Sequence, residues 1–104
     1  MTTRVVFAPE ARQQLLSIQE YISAAANADV ALAFTNSIVD YCESFVTFPH
    51  RGTLRNDIRP GLRTIGFRRR ATIAFTVDSA TITILGVFYG GRDVQGALTR
   101  DPPD

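Results

Sequence analysis

The segment from Arg70 to Tyr89, RATIAFTVDSATITILGVFY, decides the fold of this chain. Its first half alternates apolar and small polar residues, with Ala71, Ile73, Phe75 and Val77 on one face. Asp78-Ser79-Ala80 then interrupts the pattern as a turn would, and a second alternating run follows from Thr81 to Tyr89. Alternation with a period of two indicates β-strands, so the segment predicts a β-hairpin.

The second strand of this hairpin is apolar on both faces. Ile82, Ile84, Gly86 and Phe88 should share one face, whereas Leu85 and Val87 should lie on the other. A face that met only water would carry polar residues. We therefore expect something apolar to cover both faces, either another part of this chain or a partner.

The residues upstream complete an α+β domain. A strand is predicted from Leu62 to Phe67 after a loop from His50 to Gly61, giving a three-stranded antiparallel sheet. The N-terminal residues 4–8 read as a further strand. Between them, the apolar spacing predicts two amphipathic helices, one from Pro9 to about Ala25 and one capped by Asn27 and ending near Phe48. The short connection makes them an antiparallel helical hairpin.

Size and composition favour one domain without cofactors. The chain has 104 residues, of which 45% are hydrophobic, and we assign residues 1–98 to a single domain and residues 99–104 to a frayed tail. A last helical turn is predicted over residues 92–98. No apolar run is long enough to span a membrane, and the single cysteine, Cys42, favours the cytoplasm. Cys42 falls on the core side of its helix, so we expect a buried thiol.

Positive charge is concentrated in one stretch. Residues 51–70 contain seven arginines and one acid, Asp57. Such asymmetry is typical of a surface for a polyanion or an acidic protein, although a solvated basic face without a partner gives the same pattern.

Few residues suggest catalysis. The sequence has one histidine, His50, and no cluster with metal-ligand spacing, so no metal site is predicted. What remains is a group of arginines: Arg68 and Arg70 should share one strand face, Arg69 the other, with Tyr89 and Arg92 nearby. These groups could bind a phosphodiester or simply decorate a strand edge.

Three motifs, taken in order, resemble the ParE/RelE superfamily of bacterial toxins from type II toxin–antitoxin modules. Pro49-His-Arg51-Gly52 and Asp57-Ile-Arg59-Pro60-Gly61-Leu-Arg63 are similar to the linker that ParE-type members carry after the second helix. The ending from Ile84 to Asp93, ILGVFYGGRD, resembles their last strand. The resemblance covers nearly the whole chain.

The resemblance implies a protein partner. Members are neutralised by an antitoxin, ParD-like in the ParE branch, whose C-terminal segment folds on the toxin and whose other end binds operator DNA. On this basis we expect Arg59 and Arg63 to contact acidic residues of the antitoxin. Leu85 and Val87 should line the groove of this chain that receives the antitoxin's apolar side chains. Operator DNA would be bound only indirectly, through the antitoxin.

The resemblance leaves the target open between two branches. ParE-like members poison DNA gyrase and lack a complete catalytic set, which favours a binding toxin over an enzyme; Arg68, Arg69, Arg70, Tyr89 and Arg92 are then candidates for target binding. RelE-like members are ribosome-dependent endoribonucleases that cut mRNA, and Arg70, Tyr89 and Arg92 would form the site. Tyr89 stands where a histidine is usual, and this difference makes the nuclease hypothesis the less favoured of the two. A non-toxic, antitoxin-binding relative is the third alternative.

Overall fold

The predicted hairpin lies at the centre of a five-stranded sheet that is covered on one face by two helices. The structure, a computed structural model, describes residues 3–90. Its elements in chain order are β1 Arg4–Phe7, α1 Pro9–Ala25, α2 Ala28–Glu43, a 3₁₀ turn Ser44–Val46, β2 Thr53–Leu54, β3 Leu62–Phe67, β4 Ala71–Asp78 and β5 Thr81–Tyr89. The strand order across the sheet is β1-β5-β4-β3-β2.

The three-stranded antiparallel sheet is present as predicted, but the prediction was incomplete because the sheet has five strands and is mixed. β1 is parallel to β5, with Val5 opposite Ile82 and Phe7 opposite Ile84. β2 lies within the segment expected to be a loop and pairs with Arg63 and Thr64 of β3. Alternation identifies a strand but does not reveal which distant strand it joins, so β1 could not be placed from sequence.

The helical hairpin follows the sequence signals closely. Pro9 begins α1, where its missing N–H has no helical partner to lose. Asn27 caps α2, and its side-chain oxygen accepts a hydrogen bond from the Val30 N–H at 2.9 Å. The predicted end near Phe48 was too late: α2 ends at Glu43 and tightens into the 3₁₀ turn, as helix ends often do.

The main core lies between the helices and the sheet. Ile38 and Phe45 come from the helical layer, and Phe75, Ile82 and Ile84 from the central strands; all are fully buried. The rings of Phe45 and Phe75 are 4.7 Å apart, so the two layers are in direct contact at the end of the helical hairpin.

A β-bulge in β5 corrects the predicted faces of that strand. Ala74 pairs with Gly86 but Phe75 pairs with Ile84, so Leu85 is an extra residue without a partner in β4. The extra residue shifts the alternation, and Val87 faces the helices with a side chain only 1% exposed. The predictions that Val87 shares a face with Leu85 and that Phe88 shares a face with Ile84 were therefore both wrong.

The opposite face of the sheet, called here the second face, carries a smaller apolar cluster. Leu62, Ala74 and Phe88 are buried there, and Leu85 and Ile58 pack against them. Ile58 belongs to the loop between β2 and β3, so part of the expected apolar cover comes from this chain itself.

Some predictions lie outside the described residues. These are Arg92, the helical turn over 92–98, the tail over 99–104, and hence the extent of the 1–98 domain. Within residues 3–90, neither helix has the length and apolar character needed to cross a membrane.

Candidate functional site

Arg51, the first arginine of the basic stretch, stabilises the fold by binding backbone carbonyls. Its guanidinium donates hydrogen bonds to the backbone carbonyls of Phe48, at 2.8 Å, and Ser44, at 3.2 Å. It also lies 5.0 Å from the ring centroid of Phe45. These carbonyls follow the end of α2, where a cation compensates unsatisfied acceptors. Arg51 is therefore a structural residue.

The loop between β2 and β3 is ordered by its own polar groups. Arg55 makes a bidentate pair with Asp57, with N–O distances of 3.0 and 2.9 Å. The hydrogen bonds from Arg55 hold the pKa of Asp57 below its ordinary value. Asn56 accepts from the Gly61 N–H at 2.8 Å, so the loop has a defined shape.

The two arginines expected to bind an antitoxin differ in environment. Arg59 is exposed in this loop, and its N–H donates to the Arg55 carbonyl at 3.2 Å. Arg63 is half-buried in β3, and its guanidinium donates to the Arg51 carbonyl at 3.3 Å. Arg59 is thus solvent-exposed, and Arg63 is partly committed to the fold.

Arg68, Arg69 and Arg70 form the connection between β3 and β4, called here the arginine turn. All three are exposed. Arg68 and Arg69 have positive φ angles of 51° and 57°, and the Arg70 N–H closes the turn onto the Phe67 carbonyl at 3.0 Å. The prediction that Arg68 and Arg70 share a strand face was wrong, because β4 begins one residue later, at Ala71.

Tyr89 lies beside the arginine turn, as predicted. It is opposite Ala71 in the sheet, and the next N–H, that of Gly90, donates to the Arg70 carbonyl at 2.9 Å. The Tyr89 ring packs edge-on against Phe34, with centroids 5.6 Å apart, and lies 5.9 Å from the ring of Tyr21. Arg70 and Tyr89 are therefore brought together, while Arg92 lies outside the described residues.

A cavity of about 740 Å³ opens between α1 and the end of β5. Its lining consists of Glu10, Gln13, Gln14, Ser17, Ile18, Tyr21, Val87, Phe88, Tyr89 and Gly90. The α1 members recur every three or four residues, so they form one helix face beside the buried one. Sequence analysis missed this face, since its polar residues look like an ordinary solvated surface.

Gln14 links this cavity to the bulge. Its side-chain oxygen accepts a hydrogen bond from the Val87 N–H at 2.7 Å. A side chain added at Gly86 would meet both Gln14 and the ring of Phe88 at 3.2 Å or less. Nothing in the sequence pairs Gln14 with β5, because the two are joined only by the fold.

The remaining candidates for chemistry are inert or isolated. Cys42 is buried as predicted, and desolvation, with a contribution from Glu43, raises its pKa from 9.0 to about 12. His50 is exposed in the turn after Pro49. Among residues 3–90, no group of three or more His, Cys, Asp or Glu side chains is placed to hold a metal ion.

The described residues define a small two-layer α+β protein whose conspicuous surface groups, arginines and tyrosines, are suited to binding. The family model of the ParE toxin of the type II toxin–antitoxin system, parDE, matches residues 5–94. The chain therefore belongs to the ParE toxin family, and the resemblance seen in its sequence is confirmed.

A solved structure described as the chromosomal ParDE TA system from P. aeruginosa has the same fold. The similarity covers 86% of this chain and 97% of that one, with a TM-score of 0.74 and 21% sequence identity. No curated protein sequence matches the chain.

Proposed function

We propose that this chain acts in the cytoplasm as an inhibitor of DNA gyrase and is neutralised by a ParD-like antitoxin. The observation that carries this proposal is the match to the ParE toxin family over residues 5–94. The similar P. aeruginosa structure is that of a ParDE system, which supports an antitoxin as partner. Operator DNA would be reached only through that antitoxin.

The second face is the best candidate for the antitoxin surface. Leu85 and Ile58 pack on the same small cluster, so the half-buried Leu85 and the loop that carries Arg59 lie on one side of the sheet. An antitoxin segment could place apolar side chains on Leu85 and acids near Arg59. Arg63 and the buried Val87 would contribute indirectly, by holding the loop and the strand in place.

Calorimetric titration with the antitoxin tests this surface. Apolar anchors dominate interface energies, so Leu85→Asn should weaken binding by about tenfold or more. Arg59→Ala should weaken it less, and its effect should shrink as salt is raised. Val30→Asn is a matched control, since Val30 is an exposed apolar residue of the helical layer. A Leu85→Asn variant that binds like the wild type would remove the second face from the interface.

The target is tested by inducible expression of the chain with and without the neighbouring small open reading frame. Growth, DNA supercoiling and mRNA integrity are scored in the same cells. Growth arrest with relaxed or broken DNA and intact mRNA is the expected result, and co-expression of the antitoxin should restore growth. Expression without growth arrest would instead favour a non-toxic, antitoxin-binding relative.

A RelE-like ribonuclease is the second candidate, favoured by one observation. The hydrogen bond from Gly90 to Arg70 places Arg70 beside Tyr89, as a site for a scissile phosphate would require. If the chain cuts mRNA, Arg70→Ala and Tyr89→Phe should each lower cleavage by about 10²-fold. Arrest that persists with intact mRNA would argue against this candidate.

A further inference from the structure

The arginine turn keeps two arginines in a conformation that suits other residues better. Positive φ at both central positions is characteristic of type I′ hairpin turns, which strongly prefer Asn-Gly. A side chain with a Cβ is strained in the left-handed region, and strain of this kind concentrates at functional sites. The identity of Arg68 and Arg69 is therefore not explained by the stability of the turn.

Internal pairing does not explain these arginines either. Among residues 3–90, no carboxylate lies within ion-pair distance of Arg68, Arg69 or Arg70. The guanidinium of Arg68 lies 4.9 Å from the ring centroid of Phe67, which orients it while leaving its donors available. Three exposed guanidiniums thus occupy consecutive positions on one turn.

The turn is fixed relative to two tyrosines. The Arg70 N–H bonds to Phe67, and the Arg70 carbonyl accepts from Gly90, so the turn is tied to both neighbouring strands. On the β5 side, Tyr89 contacts the ring of Tyr21, which is 63% exposed. Aromatic rings beside a row of guanidiniums are typical of nucleic-acid binding, because bases stack on the rings while arginines hold phosphates.

We propose that the arginine turn, with the Tyr21–Tyr89 pair beside it, binds the phosphodiester backbone of a nucleic acid. Guanidinium forks match phosphate oxygens, and the rigid turn presents them without ordering long loops. The inference rests on the proposed function for its biological source, since DNA held by gyrase would supply that backbone. An acidic protein segment is the competing ligand.

Fluorescence anisotropy of the full chain tests the proposal with three probes: a short labelled DNA duplex without operator sequence, a single strand of equal length, and poly-glutamate. The key variant is the double substitution Arg68→Asn/Arg69→Gly. At about 100 mM salt it should lower DNA affinity by about tenfold or more, and it should reduce the slope of log K against log salt by about 2. Because it installs the favoured turn residues, it should also raise Tm by about 5 °C.

Arg4→Gln is the matched control for charge. Arg4 is exposed and pairs with Thr81, which lies at the opposite end of β5 from Tyr89. At the usual rise per strand residue, Thr81 and Tyr89 are about 26 Å apart. It should leave DNA affinity and the salt slope close to wild type. Tyr21→Ala should weaken binding of the single strand more than that of the duplex.

Several results would overturn the proposal. DNA affinity unchanged in the Arg68→Asn/Arg69→Gly variant would do so, as would poly-glutamate binding that depends on the turn while DNA binding does not. Gyrase is assayed separately with the same proteins. Turn-dependent DNA binding by a chain that does not inhibit gyrase would uphold the proposal for the turn and reject the gyrase hypothesis. Gyrase inhibition by a chain whose DNA affinity does not depend on the turn would reject the proposal for the turn and uphold the gyrase hypothesis.

Discussion

Arginine has three different physical roles within the basic stretch. Arg51 donates to backbone carbonyls at the end of the helical layer, and Arg55 is paired with Asp57. The arginine turn has neither kind of partner among residues 3–90. A count of charges therefore overstates the surface available to a partner, and the structure separates arginines that hold the chain together from those that face outward.

Gln14 is the residue whose role is least visible in the sequence, and it carries the first stability prediction. Gln14→Ala would leave the Val87 N–H without its acceptor at a part-buried site beside the strand. An unsatisfied buried donor costs about 1–3 kcal/mol, so the free energy of unfolding should fall by that amount in urea titration. Gln13→Ala, an exposed neighbour on the same helix, should have little effect. Equal losses in the two variants would contradict this role.

At the scale of elements, the helix starts are determined by neighbouring residues in the sequence, whereas the faces of β5 are determined by the bulge. Pro9 and Asn27 act within a few residues of their own positions, which is why both helix starts were predicted correctly. The bulge at Leu85 is defined by the register with the partner strand β4, and Gln14 of α1 accepts a hydrogen bond beside it, from the Val87 N–H. Such a feature arises only after the layers have packed, and it reversed the predicted face of Val87.

The cap of α2 is open to a direct test. Asn27→Ala removes the acceptor for the Val30 N–H and should destabilise the protein by about 1 kcal/mol. Asn36→Ala is the matched comparison, since Asn36 is exposed within the same helix and alanine is the better helix former there. The two substitutions should thus shift the urea midpoint in opposite directions. A urea midpoint for Asn27→Ala at or above that of the wild type would show that the Asn27 cap does not stabilise α2.

At the scale of the whole molecule, sequence predicted the elements better than their assembly. The helical hairpin and the three antiparallel strands follow from periodicity and turn residues. The parallel pairing of β1 with β5 and the short β2 do not, because each depends on contacts between distant segments. Sequence analysis also predicted that Arg70 lies near Tyr89, because the hairpin register places Tyr89 opposite Ala71, the residue after Arg70. It missed Gln14 and Tyr21, whose neighbours on β5 are set by how α1 lies on the sheet.

Arg51 connects the two layers, and its removal is the prediction that belongs to this scale. Its guanidinium holds carbonyls of the helical layer, while its own carbonyl accepts from Arg63 of β3. Charge-assisted hydrogen bonds at a half-buried site should make Arg51→Ala cost about 1–3 kcal/mol of unfolding free energy.

Two further variants separate the geometry of Arg51 from its charge. Arg51→Lys should recover only part of the loss, because an ammonium lacks the planar fork that reaches two carbonyls and stacks on Phe45. Arg55→Ala removes the same charge from a solvent-exposed pair, so its effect on the unfolding free energy should be small. In urea titrations, the loss of unfolding free energy should therefore be largest for Arg51→Ala, smaller for Arg51→Lys and smallest for Arg55→Ala. Equal costs for Arg51→Ala and Arg55→Ala would mean that Arg51 contributes charge alone and does not join the layers.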